Sequence, residues 1–298
     1  MVWRDVLHEG PVPDVGNEEL RDVRARFLGG GDADAVAAAR RAFEERDAAL
    51  AGGRGGDYVL WFEADLYDQL QLAQILARLA ELRVAPERIS LICIGEYLGI
   101  AHFGGLGELG PEQLAGLPAT AAVTLTEDAL ALATKAWAAL RAPDPRGLAA
   151  IVASRSPELR FMAEAFDRLG GEYPWKRDGL SLTERRLLAA VAGGAPAAGD
   201  AFVGAAGREA RPFLGDTWAF AAIERLARAT VPLVAVEPSR SVDRFTPVRL
   251  TNAGDRVLRG EEDHVALNGV DRWVGGVRVV GRDVGWRWDD GVEAVVAG

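Results

Sequence analysis

Glu63, Asp65 and Asp68 place three carboxylates at the end of an apolar run, Tyr58-Val59-Leu60-Trp61-Phe62, in a chain with few other chemically active side chains. Carboxyls so placed exchange protons as an acid–base pair, or offer hard oxygen ligands to Mg²⁺ with a phosphate completing the shell. Gln69 adds an amide beside them. Trp3, Arg4, Asp5, His8 and Glu9 crowd polar and aromatic groups at what would be the carboxyl end of another strand. Glu63, Asp65 and His8 are therefore the candidate catalytic groups, and Asp5, Asp68, Gln69 and Arg24 the candidate ligand contacts. A plainer reading accounts for the same residues: Asp65 caps a helix, Asp68 follows as a shortened capping box, and Glu63 pairs with a nearby arginine.

Other chemistries find little support. The three histidines, His8, His102 and His264, fit no metal-ligand spacing, and H-E-x-x-H, paired C-x-x-C, G-x-S-x-G and P-loop motifs are absent. The glycine-rich stretch from His102 to Leu109 lacks G-x-G-x-x-G spacing and reads as a mobile loop over the sheet edge. With 298 residues, 49% of them apolar and 26% charged, the chain is long enough for two domains and unlike a disordered protein. A net charge of −10 argues against a surface that tracks nucleic acid or anionic membrane throughout. The single cysteine, Cys93, lies in an apolar run and reads as a buried, inert thiol; no disulfide framework and no secretory leader are expected, so the reading is a cytoplasmic protein.

The elements that must position these groups follow from periodicity. Val59 to Phe62, behind the breaker Gly52-Gly53-Arg54-Gly55-Gly56, reads as a strand buried on both faces, and a wide apolar stripe from Leu66 to Leu82 as a helix lying on it. Arg88 to Ile94 is a second strand, parallel to the first, and both strand ends would carry the polar groups to one edge, where ligands collect in open α/β sheets. Met1 to Asp5 reads as the tail of a strand. Helices are expected over Glu18–Leu28, whose arginines form a solvated face, and over Ala35–Leu50, capped by Asp34. Further helices are expected over Pro111–Leu117, from Thr126 to Leu140, over Arg146–Ser154 and over Glu158–Leu169, with a brief strand or loop at Val123–Leu125.

Composition shifts near Glu172, which divides the chain into an α/β domain, 1–171, and a second domain, 172–298. The second domain reads as a capping box at Ser181 and Glu184 opening a helix to Ala192, a weakly patterned segment, and a helix capped by Asp216. A short strand, Leu233–Val236, and a hairpin, Arg249–Leu258, follow. That order resembles a winged helix-turn-helix, in which Arg225, Arg228 and Arg249 would be the residues to meet phosphates. The apolar content of the helix and Glu224 within it favour a packing or protein-contact role over DNA reading. The tail, from His264 to Asp289 with dense tryptophan, reads as a terminal β-hairpin. The fold class is thus α/β: a small mainly parallel sheet with flanking helices, then a winged-helix-like α+β domain and the hairpin.

Three motifs together, Trp3-Arg4-Asp5-Val6-Leu7-His8-Glu9-Gly10-Pro11, Leu60-Trp61-Phe62-Glu63-Ala64-Asp65-Leu66-Tyr67-Asp68-Gln69-Leu70 and Asp271-Arg272-Trp273-Val274-Gly275-Gly276, resemble the bacterial DUF1835 domain family over nearly the whole length. The resemblance implies little about activity, since that family is functionally uncharacterised. Two departures matter. Family members begin with a further strand carrying a Gly-Asp-Ser motif, which this chain lacks, implying a truncated start and a sheet short of one strand. They also carry histidine between the Glu and Asp of the central motif, where this sequence has Ala64; if that histidine is an acid–base group, this chain is weakened in that role. The functional expectation is a small phosphorylated or nucleotide-like ligand at the strand edge, with Mg²⁺ as the possible cofactor. The alternative is a transcription-associated or adaptor protein acting through its winged helix.

Overall fold

The computed structural model describes residues 1–101, 103–236 and 241–298, and the chain forms two compact units. The first comprises Met1–Asp167 with Trp273–Arg278, the second Arg168–Arg272 with Val279–Gly298. The sequence reading assigned the whole tail to the second domain, whereas Trp273–Arg278 belongs to the first unit. Two glycines explain why. Val12 N–H donates to the Gly275 carbonyl at 2.9 Å and Gly276 N–H to the Leu140 carbonyl at 2.8 Å. The chain runs so close there that a Cβ on either glycine would strike the carbonyl of Leu140 or Arg141, and Gly275 also has φ +59.

The first unit opens irregularly. Met1–Asp5 forms no strand, contrary to expectation, because side-chain amides rather than a neighbouring strand take up its polar groups: Trp3 Nε1 donates to Gln74 Oε1 at 2.9 Å, and Asp5 N–H to Gln71 Oε1 at 2.9 Å. Helices α1 (Asn17–Gly29) and α2 (Ala33–Gly52) form a hairpin that turns at Gly30, φ +57. Asp32, not Asp34, caps α2 by accepting from Ala35 N–H at 2.9 Å. Then come β1 (Tyr58–Glu63), α3 (Leu66–Glu81), β2 (Ile89–Ile94), α4 (Pro111–Thr120), β3 (Ala122–Thr124), α5 (Glu127–Arg141) and α6 (Leu148–Val152). Helix α7 (Met162–Gly170) contains the division between units.

The sheet order is β1-β2-β3, with β1 and β2 parallel and in register from Tyr58 opposite Ile89 to Glu63 opposite Ile94. β3 runs antiparallel to β2, so the sheet is parallel along one side only. As an edge strand, β1 buries Tyr58, Leu60 and Phe62 and leaves Val59 57% and Trp61 39% exposed, so the expectation of burial on both faces fails. Strand β2, in the middle, is the one almost wholly buried. Helix α3 packs against β1 and α5 and buries Leu70, Leu72, Ala73 and Leu76 completely. Each such leucine contributes about 1.5–3 kcal/mol through area removed from water. The interior of this unit therefore holds the strand-to-helix turn after β1 in a fixed place.

In the second unit Ser181 and Glu184 form the expected capping box, Ser181 N–H donating to Glu184 Oε2 at 2.9 Å, and open α8 (Leu182–Ala192). The weakly patterned segment contains α9 (Ala198–Ala206), whose alanine and glycine content hid its periodicity. Gly215, not Asp216, is the N-cap of α10 (Asp216–Ala227). β4 (Val234–Val236) pairs antiparallel with β5 (Val248–Leu250), and Ala197 makes an isolated antiparallel bridge to Pro247. The hairpin expected over Arg249–Leu258 is instead the end of β5 followed by α11 (Asn252–Leu258), because Thr251 caps a helix by accepting from Gly254 N–H at 3.0 Å. The tail comprises α12 (His264–Asn268), the pair β6 (Val270–Val274) and β7 (Val277–Gly281), and the pair β8 (Trp286–Asp289) and β9 (Ala294–Ala297). It holds two two-stranded sheets where one hairpin was expected.

Candidate functional site

The site is built by the turn from β1 into α3. Asp65 is the N-cap of α3, its Oδ1 accepting from Asp68 N–H at 2.9 Å. Asp68 turns back on the strand, its Oδ2 accepting from Glu63 N–H at 2.5 Å. Gln69, fully buried, donates through Nε2 to the Glu63 carbonyl at 2.7 Å and to Cys93 Sγ on β2 at 3.4 Å. The Glu63 carboxylate accepts from Leu106 N–H at 2.6 Å, which lays the glycine-rich stretch on the strand end. Gly105 at φ +147 is needed there, since a Cβ would run into the Glu63 carboxylate. His102, expected in that stretch, lies outside the described residues.

Burial dominates the electrostatics of this turn. It pushes the Asp65 carboxyl up to about 7, opposed by the Asp68 N–H that favours the ionised form and reinforced by the like charges of Asp68 and Glu63. Burial likewise raises Asp68 to about 6, with Glu63 adding repulsion and its N–H opposing. Two carboxyls that change charge close to neutral pH are suited to giving and taking protons. Both bind protons more tightly folded than unfolded, where an aspartate titrates near about 3.9. Stability from this pair is therefore greatest below about pH 4 and is lost as pH rises through 6 to 7. Asp65→Asn keeps a capping oxygen and removes the charge. It is expected to raise stability at pH 8 by on the order of 1 kcal/mol and to have no effect near pH 4, as read from urea unfolding at both pH values. A loss of stability at pH 8 would contradict the assignment.

The entering loop contributes His8, buried and edge-on to Tyr67 with ring centroids 5.8 Å apart, and Arg4, whose charge favours the ionised Tyr67 hydroxyl against the larger effect of burial. His8 thus reaches the first turn of α3, where Tyr67 stands between Asp65 and Asp68 in the chain. Asp5 and Arg24 do not join them. They form a pair buried to 1% side-chain exposure each, Arg24 Nη2 to Asp5 Oδ1 at 2.8 Å. The same guanidinium donates to the carbonyls of Val6 at 2.8 Å, Glu9 at 2.8 Å and Pro11 at 3.2 Å. Arg24 therefore clamps the 5–11 loop and is no solvated arginine.

Arg160 was not singled out from the sequence. Its Nη2 donates to the Cys93 carbonyl near the carboxyl end of β2 at 3.4 Å. It also lines a broad open hollow of about 600 Å³ with Ser154, Arg155, Ser156, Glu164 and Asp167. The sequence signal was present, in the basic Ser154-Arg155-Ser156-Pro157 break between two helical patterns. Among the described residues no group of three or more His, Cys, Asp and Glu side chains is arranged to hold a metal ion. Glu63, Asp65 and Asp68 each accept a backbone N–H through one carboxylate oxygen.

In the second unit Arg225 and Arg249 are exposed, but Arg228 is held by Glu224 at 2.5 Å on its own helix. Nearby Arg256 pairs with Glu262 at 3.0 Å and Arg259 with Asp255 at 3.1 Å. Among the described residues no helix is long and apolar enough to cross a membrane. No family model, no curated protein and no solved structure matches the chain.

Proposed function

We propose that the first unit binds a small phosphorylated or nucleotide-like ligand at the carboxyl edge of β1 and β2, with Asp65 and Asp68 exchanging protons there. The observation that carries this reading is Arg160. It joins the end of β2, the strand paired with β1, to a hollow furnished with a second guanidinium and two hydroxyls, and the end of β1 leads into the turn whose two carboxyls are raised toward neutrality. Arg155 and Arg160 supply the planar fork that grips phosphate oxygens, and Ser154 and Ser156 supply shorter-range donors. Glu63 holds the 104–107 loop, and His8 backs Tyr67.

A thermal-unfolding panel of nucleotides and sugar phosphates tests the reading. A true ligand at a hundredfold excess over its Kd is expected to stabilise the protein by about 2.7 kcal/mol, a shift of several degrees. Arg160→Gln is expected to abolish that shift without loss of stability, since Arg160 is exposed. A panel in which no compound stabilises the native chain more than the variant would count against the proposal.

A second reading rests on the order α8, α9, α10, β4, β5 with the Ala197–Pro247 bridge, which supports a winged helix in the second unit. Ion pairing of Arg228, Arg256 and Arg259 favours a protein partner over duplex DNA. Salt-dependent duplex binding that disappears on replacing Arg225 and Arg249 would reverse that preference.

A further inference from the structure

The second unit exposes an apolar strip where α9, α10 and the turn before β5 meet. Helix α9 is bedded on the core through Ala198, Ala201 and Ala205, so its opposite face turns to solvent, with Val203 68% exposed. Phe202, half-buried, lies edge-on to Phe220 of α10 with ring centroids 6.4 Å apart. The turn before β5 is pressed onto the first turn of α9. Ala198 N–H donates to the Thr246 carbonyl at 2.9 Å, and Gly199 N–H to the Arg244 carbonyl at 3.0 Å. A Cβ on residue 199 would stand 2.7 Å from that second oxygen, so the close approach requires glycine. It sets Phe245, next in the chain to Arg244 and 73% exposed, about one helical turn from Val203.

Carboxylates rim the strip. Asp200 stands one turn before Val203 on α9, Asp216 one turn before Phe220 on α10, and Asp243 just ahead of Phe245, and all three are exposed. Asp243 and Asp216 accept from N–H groups of their own turns, those of Phe245 at 2.9 Å and Thr217 at 2.7 Å, which holds both carboxylates in place. The nearby cations are engaged: Arg244 stacks on the Phe245 ring at 4.7 Å, Arg208 donates to the Gly204 carbonyl, and Arg228 pairs with Glu224. A contiguous exposed apolar strip marks a contact surface. Its acidic rim, in a chain of net charge −10, repels a second copy and attracts a cationic partner. Anchors about one turn apart match the i and i+4 apolar residues of a helix. We propose that the strip docks an amphipathic helix of a partner protein, apolar on one face and rich in Lys and Arg on the other. The proposal rests on the protein-contact reading of the second unit and names its occupant.

Fluorescence anisotropy on the full chain makes the test, with a labelled lysine–leucine peptide of helical period. Its controls are a glutamate–leucine peptide of the same pattern and a scrambled lysine–leucine peptide. The patterned lysine–leucine helix is expected to bind saturably, and both controls to bind weaker by about tenfold or more. Val203→Ser combined with Phe245→Ser, at side chains already exposed, is expected to weaken binding by about tenfold without moving the unfolding midpoint. Asp200→Asn, Asp216→Asn and Asp243→Asn together are expected to weaken it and to flatten its salt dependence. Hydrogen exchange of the complex is expected to slow at the α9 and Phe245 amides and to stay unchanged in α5. Absence of binding by the lysine–leucine helix, equal binding by the scrambled peptide, or an affinity unmoved by the Val203 and Phe245 changes overturns the proposal. Those results leave the protein-contact reading standing, whereas duplex DNA binding that requires Arg225 and Arg249 removes that reading and the proposal with it.

Discussion

Replacing Arg24 by methionine is expected to destabilise the protein by about 3–5 kcal/mol, the cost of leaving the Asp5 carboxylate buried without its cation. The guanidinium serves four acceptors at once, the Asp5 carboxylate and the carbonyls of Val6, Glu9 and Pro11, so the loss also strips donors from three loop carbonyls. A domain of this kind has about 5–15 kcal/mol in hand, so the variant should show a large drop in urea midpoint and early opening of the 5–11 loop by hydrogen exchange. A double-mutant cycle with Asp5→Asn isolates the pair: the double variant should be less damaged than the sum of the singles, because each charge is harmful mainly when left alone. Additive losses would mean that Arg24 acts through its packing against Phe27, 5.0 Å away, and not through Asp5.

The corresponding position in the second unit is Glu172. Its carboxylate accepts from Arg168 Nη1 at 2.7 Å, Arg272 Nη2 at 2.8 Å and the Thr183 hydroxyl at 2.5 Å, with the side chain 6% exposed. Burial works against the charge, yet Arg168 and Arg272 hold the carboxyl well below the usual carboxylate range. A depressed carboxyl contributes stability that is fully present above its unfolded value, near about 4.3, and is lost as pH falls below it. Glu172→Ala is expected to cost about 3–5 kcal/mol at pH 7, leaving Arg168 with Glu209 alone, and to make the second unit less sensitive to acid than it is in the native chain. Hydrogen exchange of the α8 amides follows this unit selectively, since tryptophans lie in both units. An acid transition as steep in Glu172→Ala as in the native chain would show that other carboxyls govern it. At these sites acid therefore acts in opposite senses, the Asp65–Asp68 turn gaining stability where Glu172 loses it.

Local chemistry was legible from the chain alone. Asp65 before the Leu66–Leu76 stripe, Thr126 before α5 and Ser181 with Glu184 before α8 all mark helix starts, because a capping side chain satisfies N–H groups within its own turn and needs no distant partner. The parallel pairing of β1 and β2 followed from the strand-helix-strand order for a similar reason, the intervening helix being long enough for a crossover. Errors arose where one signal served two local structures. Thr251-Asn252-Ala253-Gly254 has the residues of a turn and is a helix start, and the alanine-rich α9 has too little contrast between its faces to show a period.

The local elements can be read from the chain, and so can the gathering of Glu63, Asp65, Asp68 and Gln69 at one strand end, since those residues lie on one turn. Which charged groups are buried, and with whom, is set by long-range packing. It took Asp5 and Arg24 into a clamp and His8 to Tyr67. It brought Arg160 to the end of β2. The physical reason is range. A cap or a strand pattern is settled within a few residues, whereas the solvation of a charge depends on what long-range packing places over it, and a sequence pattern carries no record of that cover.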